Sequence, residues 1–172
     1  MTRRLLAAEE LGALFPTVRR ASWRWECQPQ YAVDADEVAA WLSGEPTAET
    51  KEDREWLNYI KNLHARGIPF ERVRVLDEPP TTYQRWIITT TDANVAAGED
   101  IRWLARRDAQ AAGMPNYDFY IFDENRVAIM RFDAHGELTG IELDDDPAVV
   151  SEHLAYRARV WPVATTHRQG GP

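Results

Sequence analysis

With 172 residues, 44% apolar content and a formal charge of −8 from 20 basic and 28 acidic side chains, the chain reads as one packed domain and not a disordered segment. The negative balance argues against direct nucleic-acid binding, which rests on neutralising phosphates, and no apolar run approaches the roughly 20 residues of a membrane span. The lone Cys27 cannot form an internal disulfide, which fits a reducing cytoplasm.

Leu5, Leu6, Leu11 and Leu14 recur at helical spacing and predict a short N-terminal helix closed by Phe15-Pro16, while Glu9-Glu10 interrupts any secretory apolar region. Residues 21–28 then alternate. Trp23, Trp25 and Cys27 share one face and Arg24 and Glu26 the other, as in a half-buried strand with Cys27 as a small buried hydrophobe. Asp34 or Asp36 caps a helix reaching Ser43, with Val38, Trp41 and Leu42 on one face and Gly44-Glu45-Pro46 as its stop. Thr50 caps a second helix over 51–66. Thr50 and Asp53 resemble a capping box, Trp56, Leu57, Ile60, Leu63 and His64 form a stripe, and Gly67 ends it.

Phe70–Leu76 reads as a strand with Val73 and Val75 inward and Arg72 and Arg74 outward, ended by Asp77-Glu78-Pro79-Pro80. Residues 81–97 carry helical spacing at Tyr83, Trp86, Ile87 and Thr90, against a strand-prone run Ile87–Thr91, and are assigned as a helix broken by Gly98. Residues 99–104 alternate like an edge strand, and 106–115 read as a loop. Residues 117–143 hold three aromatic and apolar runs separated by Asp123-Glu124-Asn125 and Asp133-Ala134-His135-Gly136, the pattern of a three-stranded meander. Asp146 and Pro147 start a last helix, with Val150, Leu154, Ala158 and Trp161 on its buried face. The tail, 165–172, reads as frayed. The expected fold is a single α+β domain over 1–172 with its core at about 15–161, a mainly antiparallel sheet built on the meander and flanking helices.

Neither a GxGxxG, a phosphate loop, a GxSxG elbow nor an HExxH is present, and four scattered His with one Cys make no zinc set. No metal or cofactor is expected. Glu99, Asp100 and Arg102 around Gly98 are the candidate catalytic group, able to do acid–base work if a cleft raises a carboxylate pKa, and otherwise an ion-paired turn. Between Phe132 and Tyr156 stand seven acidic residues and no Lys or Arg. Asp144–Asp146 serve as a helix cap more readily than as a cation site, and Glu142, Asp144 and Asp145 are the candidate partner-binding residues on this negative face.

The stretches PPTTYQRW, NVAAGEDIRWL and DFYIFDENRVAIMRFDAHGELTGIELDDDPAVV, with ASWRWECQPQYAV and EWLNYI before them, resemble in the same order an actinobacterial domain-of-unknown-function family, DUF6879. The resemblance runs from about Phe15 to Trp161. It implies an origin in Streptomyces-like bacteria and a gene encoded beside helix-turn-helix regulators of the XRE type, and it transfers no catalytic residue. Together with the acidity and the missing motifs, it points to a nonenzymatic regulatory partner or effector of such a regulator. The alternatives are a small hydrolase or toxin-like effector using Glu99, Asp100 and Arg102, and a homo-oligomeric adaptor with an exposed apolar patch at Trp23 or Trp103.

Overall fold

The computed structural model describes residues 3–46, 49–169 and 171–172. Met1 and Thr2, at the start of the N-terminal helix reading, and Gly170, in the tail reading, lie outside the described residues. The sheet has strands β1 (Arg4–Leu6), β2 (Ser22–Glu26), β3 (Phe70–Leu76), β4 (Asp100–Ala105), β5 (Asp118–Phe122), β6 (Arg126–Phe132), β7 (Leu138–Asp144) and β8 (Thr165–Thr166). Its order is β1-β7-β6-β5-β2-β3-β4-β8. Most neighbours are antiparallel, including β5 with β6 and β6 with β7, whereas β2–β3 and β3–β4 are parallel. The helices are α1 (Ala35–Ser43), α2 (Lys51–Ala65), α3 (Thr82–Ala97), α4 (Arg106–Ala111) and α5 (Pro147–Val160).

The parallel pairs follow from the crossovers. A chain that returns parallel must cross the sheet, and the crossing elements cover its face. Helices α1 and α2 join β2 to β3, and α3 joins β3 to β4. Helices α4 and α5 cover the opposite face, over Trp23, Trp25, Val73, Val75, Phe119 and Ile121. The first face holds two apolar clusters. One gathers Ile60 and Leu63 of α2 with Leu14, Val18, Phe70 and Phe122, and the other gathers Tyr31, Tyr83, Trp86 and Trp103. Between them lies a strip of charge.

Local chemistry accounts for the helix ends. Thr50 Oγ1 accepts from the Asp53 N–H at 3.0 Å, and Asp53 Oδ2 accepts from the Thr50 N–H at 2.8 Å, a reciprocal capping box. Thr81 and Gln84 repeat the arrangement at α3, and Asp146 accepts from Ala148 at the start of α5. In the three-residue loop between β5 and β6, Asp123 and Glu124 take left-handed φ of 54° and 59°, and the Asn125 N–H donates to the Phe122 carbonyl at 3.1 Å to close the turn. The Asp123 carboxylate accepts from the backbone N–H groups of Arg19, Arg20 and Ala21, tying this turn to the entry of β2.

Several sequence expectations are corrected. Residues 4–17 form β1 and two 3-10 turns, Ala8–Ala13 and Phe15–Thr17: Leu6, Leu11 and Leu14 join one apolar cluster, but Leu5, on the strand paired with β7, is left exposed, so the four leucines do not form one helical stripe. Residues 106–111 are helical, seating Ala109 in the core. Strand β4 is not at the edge: the tail returns as β8 beside it, and His167 is buried. On α5, His153 and Val160 join Val150 inside while Ala158 faces out. Leu42 of α1 is exposed, as is His64 of α2, whose side chain lies against Gly98. Trp23 and Trp103 are buried, so neither supplies an apolar surface patch. The largest correction concerns Arg24, Glu26, Arg72 and Arg74. All four were expected outward, and all four point under α3 and the 3-10 turns, with Glu26, Arg72 and Arg74 buried.

His153 shows what burial does to a titrating group. Its Nδ1 lies 2.8 Å from the Val149 carbonyl, which can only accept, so Nδ1 carries the proton and Nε2 accepts from the Tyr117 hydroxyl at 3.3 Å. Burial holds the imidazole pKa below its ordinary value near 6.5, outweighing the Val149 bond and the nearby Glu152 and Asp144. The unfolded chain therefore takes up a proton below about pH 6.5 that the folded chain refuses until lower pH. Stability should fall as pH drops from about 6.5, and His153→Phe should flatten that slope in urea melts at pH 5 and 7.5.

Candidate functional site

Alternate residues of the central strands carry the charged strip. β2 contributes Arg24 and Glu26, β3 Arg72 and Arg74, and β5 Asp118 and Tyr120; Glu99 stands just ahead of β4. The parallel register places Arg24 opposite Arg72 and Glu26 opposite Arg74, and the antiparallel register places Arg24 opposite Tyr120. Without these carboxylates, three guanidinium groups on adjacent strands would repel.

Glu26 is the hub. Its Oε2 accepts from Arg72 Nη1 at 2.8 Å and its Oε1 from Arg74 Nε at 3.1 Å, and Arg24 Nη1 lies 3.6 Å from Oε2. Arg72 Nε donates to Glu99 Oε1 at 2.6 Å, and Glu99 Oε2 accepts from Asn94 at 3.0 Å. Arg74 Nη1 donates to Thr91 of α3. Asp118 accepts from the Tyr31 hydroxyl at 2.6 Å, the Cys27 N–H at 2.9 Å and Arg24 Nη2 at 3.4 Å. Burial alone would raise the Glu26 pKa, but Arg74, Arg24 and Arg72 overcome it and hold the carboxyl well below the usual carboxylate range. Burial, and then Asp118 alongside, pushes the Cys27 thiol up, so it is no thiolate nucleophile.

The network forms the floor of a cavity of about 1170 Å³. Its walls include Tyr31, Tyr83, Trp86, Phe15, Trp56 and Phe132. On the floor the hydrogen bonds of Arg72 and Arg74 use Nε and Nη1, leaving Nη2 of each without a partner among the described residues. Neither Nη2 is fully enclosed, and both arginines line the cavity. A buried guanidinium with an unspent edge is a preformed donor for a carboxylate or phosphate oxygen. At the mouth, burial pushes the Asp34 carboxyl up to about 6, against the opposing influence of the neighbouring Tyr83 hydroxyl.

The residues singled out in the sequence are divided by this geometry. Glu99 belongs to the network with both oxygens engaged. Asp100 and Arg102 lie on the opposite face, where Arg102 bonds Asp100 at 3.1 Å, donates to the Trp161 carbonyl at 2.8 Å and stacks 3.7 Å from the Trp161 ring centroid. Glu142 pairs with Arg131 at 2.8 Å, and buried Asp144 pairs with Arg3 at 3.1 Å and accepts from the Asp146 N–H. Asp145, at the start of the α5 turn, is exposed. The site residues that sequence reasoning missed are Arg24, Glu26, Tyr31, Arg72, Arg74 and Asp118. The usable signal was R-x-E in 24–26 beside R-x-R in 72–74 on two strands joined by helices, since a strand flanked by crossovers has no solvent face for its charges.

Among solved structures the fold is similar to that of NucT from Helicobacter pylori, with a TM-score of 0.55, 12% sequence identity, and coverage of 96% of this chain and 98% of that chain. That identity carries a likeness of fold alone. No curated protein matches the chain in sequence. The sequence matches the profile of a domain of unknown function over residues 9–169, nearly its whole length, and the chain belongs to that family, DUF6879.

Proposed function

We propose that this domain binds a small organic molecule with an anionic head and a flat apolar body, without transforming it. The observation that carries this is the pair of unspent Nη2 edges on buried Arg72 and Arg74, facing a cavity walled by aromatic rings. Pockets for such ligands combine mostly apolar walls with a few convergent polar groups in about 300–1,000 Å³, and this cavity offers that scale. Catalysis finds less support. Glu26 is held ionised by arginines and Glu99 is doubly bonded, while Asp100 and Arg102 are on the far face.

A binding domain of this kind suits an effector partner of a helix-turn-helix regulator, with the ligand as the signal and the acidic face around Glu142 and Asp145 as the surface offered to a basic partner, buried Asp144 lying beneath it. The pairing of Glu142 and Asp144 with Arg131 and Arg3 means a partner would compete with internal ion pairs there.

The test is a thermal-shift comparison of aromatic carboxylates and phosphates with neutral amides of the same shape. Ligand at 100 times its Kd stabilises by about 2.7 kcal/mol, a rise of several degrees in Tm for a domain of this size. Benzoate or phenyl phosphate should raise Tm where benzamide does not. Equal shifts from benzoate and benzamide, or none from either anion, would overturn the reading.

A further inference from the structure

The charges of the cavity are sorted by depth. Among the described residues, Arg24, Arg72 and Arg74 are the only basic ones lining it, and they form its floor. The other charged lining residues besides Glu26 are carboxylates on exposed or half-buried positions, among them Glu9, Asp34, Glu37, Asp53, Asp92 and Glu137. A simple anion entering this cavity would cross a negative mouth to reach a positive floor, and the mouth would oppose its approach. A molecule carrying both signs meets a complementary charge at each end.

We propose, resting on the binding reading above, that the ligand is amphoteric. Its anionic group sits on the Nη2 edges of Arg72 and Arg74, and its cationic group, an ammonium or amidinium, sits against Asp34 and Glu37. The acidic residues alone would be a solvated rim. The buried, half-spent guanidinium groups in the same cavity make the rim one end of a site. Tyr83 supports the cationic end, since it faces Asp34 and its ring stands in the wall beside Trp86, where a cation gains from the aromatic face.

The geometry has a proton consequence. Asp34 sits on the turn before α1 and is faced by Glu37 on α1, by Tyr83 on α3 and by Glu26 and Arg24 on β2. With its carboxyl at about 6, Asp34 is about half protonated at pH 6 in the empty cavity. A cation docking against it favours the ionised form, so binding at pH 6 releases a fraction of a proton, and affinity rises as pH passes upward through 6.

Three probes separate the ends: benzoate carries the anion, benzamidine the cation, and 4-amidinobenzoate both. In calorimetry on the full chain at pH 7.5, 4-amidinobenzoate should bind at least tenfold more tightly than either one-ended probe, and Asp34→Asn should remove most of that advantage. At pH 6, in two buffers of different ionisation heat, 4-amidinobenzoate binding should show proton release that the variant lacks. Benzoate binding with no gain from the amidine would overturn the amphoteric ligand and leave the anion site standing. Benzamidine binding as tightly as 4-amidinobenzoate would overturn the two-ended site. Binding by none of the three would overturn both readings. Circular dichroism of the variant guards against loss of fold, and the proton count in the unaltered chain decides the matter if the variant is unstable.

Discussion

Glu26→Gln should destabilise the fold by about 3–5 kcal/mol, the usual cost of removing one partner from a buried ion pair. The side chain is 5% exposed, and three guanidinium groups converge on it from β2 and β3. The amide keeps the shape and one acceptor but removes the charge, and its NH₂ group then faces an arginine that has nothing to accept with. Against a total stability of about 5–15 kcal/mol, this is a large fraction, and Tm should fall by roughly 10 °C. Glu26→Gln combined with Arg74→Met should lose less than the sum of the single changes, because the second removes a charge that the first orphans. Fully additive losses in urea melts would mean that the network is not coupled. The same carboxylate sets an acid limit. Its folded pKa is depressed, so its contribution is complete above the ordinary glutamate value of about 4.3 and drains away as pH falls below it.

Gly98→Ala should cost about 2–5 kcal/mol from two separable causes. Gly98 ends α3 with φ of +112°, a backbone conformation that strains any residue with a Cβ. A Cβ there would also stand 2.5 Å from His64 Cγ, where α2 crosses the end of α3. The His64 Cβ would itself stand 2.6 Å away, so His64→Gly, which removes it, added to Gly98→Ala should recover the steric part and leave the conformational part, beyond what His64→Gly costs alone. If the double variant is as unstable as Gly98→Ala alone, backbone strain is the whole effect; if it recovers fully, the φ requirement is refuted. Glu99 follows immediately, so the single variant should also weaken binding of an anion at Arg72.

How much of this was legible in the residues depends on whether the cause is local. Strand β3, helix α3 with its Gly98 stop, the Thr50–Asp53 capping box and the Asp146-Pro147 start of α5 are written in short-range spacing and capping chemistry, and they stand where that chemistry puts them. The N-terminal leucines misled because a helical spacing among four residues does not say whether they share one partner surface. The tail misled for the complementary reason: Thr165 and Thr166 carry no signal of their own and are held by β4, and His167 by Trp103 and Asp92. The site was hidden by a rule that holds elsewhere. Alternating charge on a strand means solvent when one face is bare, and here helices cover both faces. Arg72 and Arg74 were therefore seen as strand residues without being seen as a floor, and Glu99 was picked out beside the wrong partners, Asp100 and Arg102.

The most direct test of the cavity as an anion-binding site is an NMR titration of the full chain with benzoate, following arginine side-chain Nε–H signals and the indole N–H of Trp86. The account predicts saturable shifts confined to Arg72, Arg74 and Trp86, with Arg102, paired and stacked on the opposite face, unmoved. Shifts spread evenly over exposed arginines, or a saturable response at Arg102 with the floor silent, would contradict it.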